Sequence, residues 1–350
     1  RGQDVDYPAA GFSTQAPGQA DMPEIQYRHV WDNFILTLGS SRFHDNGNYF
    51  FSGSPASTID VITKLTYAYG ILRPIQDLAL TLGLSRVDFH QDYSNITEYN
   101  RTLPKFGLHW APFAGASLRI AALEAAALPK AGGASLEPME VAGVQQWFGE
   151  ELGTVVRRLA VNWEQKLTPS LSLVLEAGND RLSIPGFITG ATTLDRQYER
   201  WNRAGLYWRL PPDMLTAWEG GLRLTYDRLE QDRPNLITDN NNIRRQLARH
   251  WNLGARLAGP HGLGLQVSLT RVDARQRIEP ITVAPFEDQE NFWMADLALT
   301  RTFNRGKGQL SLGVRNATDR DMGRYQEADP LLPRFAPSRY FYSRLQWQFD

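Results

Sequence analysis

Residues able to do chemistry are few in this chain and widely scattered. Six histidines (His29, His44, His90, His109, His250 and His261) show no spacing that would hold a metal ion. Two lie beside carboxylates, in FHDNGNYF (43–50) and FHQDYSN (89–95), where solvated loop positions are the plainer reading. His90 between Asp88 and Asp92 is the one arrangement that would allow a hydrolytic Asp–His or Ser–His set. The acidic runs DNGN (45–48) and EDQE (287–290) offer oxygen ligands of the kind a divalent cation takes. Cysteine is absent, which removes disulfides, thiolate metal sites and a catalytic thiol. No catalytic residue, metal or cofactor is assigned, and the chain is not read as an enzyme. A larger set stands at alternate positions among apolar ladders: Lys64, Arg119, Arg158, Glu164, Glu176, Arg209, Glu219, Arg223, Asp227, Arg256, Arg315 and Arg344. His109, Arg203, Asn252, Gln266, Asp296 and Gln346 fall in with them. Their chemistry is hydration and ion pairing, and it requires a wet surface to face.

The elements that would position them are strands. At the C-terminus, SRYFYSRLQWQF (338–349) places Phe341, Leu345, Trp347 and Phe349 on one side, with Arg344, Gln346 and Gln348 between them. A period of two is an extended strand with one greasy and one wet face. Leu78, Leu80, Leu82 and Leu84 make the cleanest such ladder, and the pattern recurs fourteen times from Phe34 to Phe349. Even numbers suit single-chain bacterial barrels. Composition agrees: a net charge of −1 recommends no nucleic-acid partner, and no apolar run is long enough for a transmembrane helix. A membrane barrel needs only about 10 residues per span, half of them polar, so a mean hydropathy of −0.40 is no objection. Arg far outnumbers Lys, which stands only at 64, 105, 130, 166 and 307.

Connections carry more information than strands. Short ones, RPIQ (73–76), PFAG (112–115), TPS (168–170), PPD (211–213), GPHG (259–262) and NRGKG (304–308), have hairpin chemistry. They alternate with long stretches at 41–57, 90–103, 128–153, 179–196, 229–243, 277–290 and 318–337. Tight turns at one rim and long loops at the other predict a transmembrane up-and-down antiparallel β-barrel of the bacterial outer membrane, with both termini periplasmic. Trp110, Trp163, Trp208, Trp218, Trp347 and Phe349 fall beside the short turns, as an interface girdle would. Residues 1–30 lack a clear period and read as a periplasmic lead-in or linker, leaving 31–350 as the barrel. No blade-length repeat supports a propeller.

The stretch LGVRNATDRDMGRYQEADPLLPRFAPSRYFYSRLQWQF resembles the end of TonB-dependent receptor barrels. The likeness rests on Val314, Asn316, Asp319 and Arg320, then Pro337, Arg339 and the strand to Phe349. The segment SLEPMEVAGVQQWFGEELGT (135–154) is similar to a loop of barrels that follow tetratricopeptide-repeat domains in outer-membrane export proteins. The first resemblance implies an outer-membrane barrel. It departs in having room for neither the roughly 22 strands nor the plug of that family, and no energy-coupling box is recognisable in residues 1–30.

With the greasy face toward lipid, the charged set lines a lumen. Fourteen strands give a backbone diameter of roughly 28 Å, reduced by side chains to about 10–15 Å. The expected function is a porin-like conduit. It would be the membrane-embedded part of a longer export or secretion protein passing a hydrophilic cargo, with polysaccharide as a candidate. A plugged barrel displaying an adhesin or anchoring a surface assembly is one alternative, and a plugless relative of TonB-dependent uptake receptors is another. Expected partners are outer-membrane lipid and lipopolysaccharide, and a periplasmic repeat domain or export partner. The Arg excess among the lumen positions leans toward anions or acidic sugars, against the plainer reading that Arg–Glu ladders hold the wall together.

Overall fold

The computed structural model describes residues 3–7, 12–16, 18–51, 57–93, 95–129, 135–146, 152–185, 194–211, 214, 217–234, 243–279, 284–303, 307–320 and 338–348. All regular structure there is extended, apart from one 3₁₀ turn at Pro260–Gly262. Four short strands come first: β1 (Gln3–Tyr7), β2 (Phe12–Ala16), β3 (Gly18–Asp21) and β4 (Glu24–Val30). Long strands follow: β5 (Phe34–Phe51), β6 (Ser57–Ile75), β7 (Leu78–Tyr93), β8 (Asn95–Trp110) and β9 (Ala116–Ala126). A two-residue hairpin pair, β10 (Glu140–Val141) and β11 (Val144–Gln145), interrupts them. The series resumes with β12 (Val155–Thr168), β13 (Leu171–Pro185), β14 (Leu194–Arg209), β15 (Glu219–Asp232) and β16 (Ile243–Ala258). It closes with β17 (Leu263–Ile278), β18 (Phe286–Phe303), β19 (Gly308–Arg315) and β20 (Tyr340–Trp347). Five long strands before the hairpin and nine after it make the fourteen that the alternation predicts, among the described residues.

The chain divides into two compact units. In the first, comprising 1–112, 118–161 and 179–198, β4 to β9 pair in sequence order, each antiparallel to the next. In the second, comprising 113–117, 162–178 and 199–350, β15 to β20 do the same. Pairing in register fixes which residues share a face. Leu253 stands opposite Leu224 and Leu269, and Leu299 opposite Leu265 and Leu312, so the ladders merge into an apolar belt. That belt is exposed: Leu253 is 53% accessible, Leu299 50% and Leu312 49%; in the first unit Leu82 is exposed as well. A monomer in water rarely tolerates so much contiguous apolar surface, and a hydrocarbon solvent removes the problem.

Three expectations are revised. Residues 24–30 are not a loose lead-in: β4 forms a hairpin with β5 through a tight turn at 31–33. Several stretches expected as long loops are strand, with β5 reaching Phe51 and β7 and β8 separated only by residue 94. Polar strand beyond an apolar span carries no alternating signature, so sequence alone hides it. In β6 the faces are reversed. Val61, Leu65, Tyr67 and Tyr69 are buried, while Lys64 lies with Ala68 and Leu72 on the exposed side and pairs with Asp88 at 3.9 Å. The buried face of β6 is apolar because another part of the chain covers it.

Candidate functional site

The cover is the segment 135–146, which includes the β10–β11 hairpin and lies on the face of the first unit opposite the exposed leucines. Alternation in β5 to β8 presents Ser41, Phe43, Thr63, Leu65, Ser85, Val87, Leu103 and Lys105 to it. Glu137 reaches into their midst. It accepts hydrogen bonds from Tyr69 Oη and Ser85 Oγ, both at 2.8 Å, and stands 3.6 Å from Lys105 Nζ. Lys105 donates to Ser85 Oγ at 2.7 Å, and Gln146 Nε2 donates to Tyr69 Oη at 3.0 Å. The lysine side chain is 1% exposed and the glutamate 12%, so the charges are hidden together, each satisfied by the other and by hydroxyls. A cavity of about 30 Å³ remains between cover and sheet, room for about one water.

Both flanks of the segment are fastened. On the β4 side, Glu24 accepts from Ser135 Oγ at 3.1 Å and from the Leu136 amide at 2.9 Å, and Gln26 donates to the Leu136 carbonyl. On the β12 side, Arg158 donates to the Gln145 carbonyl at 3.1 Å and through Nε to Asp180 at 2.8 Å. Gly143, at φ +81° in the hairpin turn, packs so closely on Arg119 that a β-carbon would meet its Cδ at 2.9 Å. Gly39 leaves the space that the Tyr67 ring fills.

In the second unit, the face away from its own exposed leucines is polar and uncovered among the described residues. Asn162 donates to Glu176 at 2.9 Å, and Arg203 bridges Glu176 at 3.7 Å and Asp227 at 3.0 Å. Asn252 donates to Ser268 and Thr270, both at 2.7 Å. These are cross-strand ties on adjacent strands, the sheet counterpart of helical side-chain pairs. Toward the short turns, Arg209, Arg223 and Arg256 line an open recess of about 540 Å³.

The charged residues singled out by spacing are thus distributed, not gathered at one centre. Arg119 and Arg158 hold the covering segment, and Glu164 shares the face of Asn162 by alternation along β12. Glu176 and Asp227 share Arg203, Glu219 shares the face of Arg223 along β15, Arg315 lies over the Tyr342 ring at 5.9 Å, and Arg344 stands opposite Ser311. Lys64 belongs to the other face. The functional residues missed by spacing are Lys105 and Glu137: the first was hidden in an apolar ladder, the second in a long connection. His90 and Asp88 occupy the exposed face of β7 rather than a loop. EDQE lies within β18, where alternation splits its carboxylates, and among the described residues no group of three His, Asp or Glu could hold a metal.

Among the interface aromatics, Trp110 and Trp347 are exposed, at 42% and 43%, and Trp163 packs on Phe113 beside its turn. Trp208 and Trp218 also flank a short connection, and Phe349 lies outside the described residues. A second aromatic group went unforeseen: Trp251 against Tyr226 at 4.5 Å, and Trp293 under Arg271 at 5.7 Å. Counted from the turn ends Ala258 and Phe303, they stand seven and ten residues along their strands (258 − 251; 303 − 293). The longer of the two matches a strand crossing hydrocarbon, about 9–11 residues, and the other falls short of it.

The motif behind the family resemblance has a structural job. Asn316, at φ 49° and 2% exposed, donates to the Arg320 carbonyl at 2.7 Å and accepts from the Arg320 amide at 3.0 Å. Asp319, at φ 54°, accepts from the Arg339 amide at 2.9 Å and pairs with its guanidinium at 3.0 Å. The turn after β19 is thereby tied to the start of β20.

No family profile and no curated protein matches the sequence. Solved structures do match in fold. The ferripyoverdine receptor of the outer membrane of Pseudomonas aeruginosa aligns over 97% of this chain and 49% of its own, with a TM-score of 0.63 at 12% identity. The FrpB iron transporter of Neisseria meningitidis aligns over 88% and 51%, with a TM-score of 0.65 at 11% identity. The ferric-catecholate import receptor Fiu of Escherichia coli K12 aligns over 89% and 51%, with a TM-score of 0.59 at 11% identity. The chain therefore has the all-β fold of outer-membrane receptor barrels and spans about half the length of those proteins. The likeness to TonB-dependent receptors read from the C-terminal motif extends, as fold, along nearly the whole chain.

Proposed function

We propose that this chain is an outer-membrane transport barrel whose polar face lines a passage for a hydrophilic cargo, without enzymatic activity. The observation that carries this reading is the segregation of faces in the second unit. Leucines aligned by register are exposed on one side, and ion-paired Glu176, Arg203 and Asp227 lie on the other. Charges at that density need water, and the leucines need hydrocarbon. Two aromatic bands at either end of the apolar belt fit the two interfaces of a bilayer. In this arrangement the short turns and both termini are periplasmic, and Arg119, Arg158, Glu164, Glu176, Arg209, Glu219, Arg223, Asp227, Arg256, Arg315 and Arg344 face the passage. Lys64 does not. The segment 135–146 narrows the passage from within the first unit. Export of a polymer such as polysaccharide is the preferred direction. Uptake is the second reading, favoured by the likeness in fold to receptors and transporters of iron complexes. Outer-membrane lipid is the expected surround, and a periplasmic repeat domain or export component the expected partner.

Planar-bilayer recording tests the proposal. The wild-type chain should give small current steps, and a variant with 129–152 replaced by a short Gly-Ser turn should give larger ones. Absence of steps from both would overturn the conduit.

A further inference from the structure

We infer that Arg209, Arg223 and Arg256 form a binding site for a soluble oxyanion carrying several phosphate or carboxylate groups. The three guanidiniums come from adjacent strands. The Leu210 amide bonds to the Gly220 carbonyl at 2.9 Å, which sets Arg209 beside Gly221, and Gly221 stands directly opposite Arg256 on β16. Arg223 is opposite Gly254, two residues from Arg256, a diagonal neighbour at roughly 7 Å. Gly221 thus leaves a gap between two arginines, and Gly254 leaves room for the third: a β-carbon there would meet Arg223 Nε at 2.7 Å. The gap is the recess of about 540 Å³, whose polar lining continues with Ser170, Ser172 and Gln266.

What distinguishes this cluster is the missing counter-charge. Six residues back along β14 (209 − 203) Arg203 is held by Glu176 and Asp227, and in the first unit Lys105 is held by Glu137. None of Arg209, Arg223 and Arg256 has a carboxylate within ion-pair distance among the described residues; Glu219, exposed and opposite Ala258, is a diagonal neighbour of Arg256 and forms no ion pair with it. Three like charges on neighbouring strands repel, and a planar fork of donors on each suits two oxygens of one anionic group. Gly221 leaves its side of the recess free of any side chain, while the space at Gly254 is taken by Arg223 itself. The recess lies on the face away from the exposed leucines, so the ligand is a solute and not a lipid head group. Binding does not depend on conduction. Its meaning as a cargo subsite rests on the transport reading.

The test is equilibrium binding to the full chain in non-ionic detergent at low salt, with tripolyphosphate and oligogalacturonate as probes and neutral malto-oligosaccharide as control. The two anions should bind and the neutral sugar should not. Arg223→Gln with Arg256→Gln should weaken binding at least tenfold, and Arg275→Gln with Arg277→Gln, on the opposite face, should leave it unchanged. Gly221→Asp, which puts a carboxylate between the arginines, should weaken it as well, so the proposal does not hang on one variant's folding. Equal loss in both double variants, or no loss in any, would overturn the site. So would retention of anion binding alongside lost adhesion to phosphatidylglycerol vesicles. Bilayer currents that persist while anion binding fails would sink this site and leave the conduit standing.

Discussion

In the first unit, the sheet face opposite the leucines is sealed by 135–146 down to about 30 Å³, and the charges there are few and hidden. In the second, the face away from its own exposed leucines stays open around about 540 Å³ and carries many charges, some without a carboxylate partner among the described residues. Burial explains the contrast. Under the cover, a charge survives only when its partner and hydroxyls replace water, so Lys105 comes with Glu137, Ser85 and Tyr69, and its neighbours are Leu103, Val87 and Phe43. In an open, hydrated face, an arginine needs no protein partner at all. The composition of a face therefore reports what covers it, and the apolar inner side of β6 is the imprint of the segment above it.

The contrast can be broken most severely at Lys105. Lys105→Met leaves Glu137 buried without its cation, at a cost of about 3–5 kcal/mol. It should release the cover, seen as rapid limited proteolysis within 128–153, and adding Glu137→Leu should restore protection. A moderate effect is expected at Gly153, whose φ of +82° suits glycine and where a β-carbon would meet Phe89 Cε1 at 2.8 Å. Gly153→Ala should cost about 1–3 kcal/mol and loosen the same loop in the same assay. The smallest effect belongs to the open face. Arg203 is 62% exposed, so Arg203→Gln should change stability to denaturant by less than about 1 kcal/mol. A large loss there would mean that the second unit is as dry as the first.

A pH experiment sharpens the picture outside both faces. The amide and guanidinium of Arg339 hold the Asp319 carboxyl below the usual carboxylate range. A lowered folded value means the tie between the β19 turn and β20 is fully present above about pH 4 and is lost as pH falls through the lowered value. Hydrogen exchange at the Arg339 amide should accelerate over that acidic window in the wild type. In Asp319→Asn it should be fast and independent of pH there, relative to a neighbouring reference amide.

Sequence by itself determined the fourteen long strands, their antiparallel order and the face carried by most ladders, but not β4, which it left in the lead-in. A period of two written as Leu80, Leu82 and Leu84 has only one extended solution that keeps all three in hydrocarbon. It also singled out Asn316 and Asp319, through the resemblance at the C-terminus; that both adopt a left-handed backbone in the turn after β19 came from the structure. Tertiary structure decided the rest. Whether Leu65 and Tyr67 faced lipid or a covering loop was undetermined, since both environments reward the same apolar side chains. That Lys105 meets Glu137 depends on a connection crossing the sheet, and no spacing along the chain encodes where a loop comes down. The three arginines around Gly221 became a site only through register, which sets residues 209, 221 and 256 side by side.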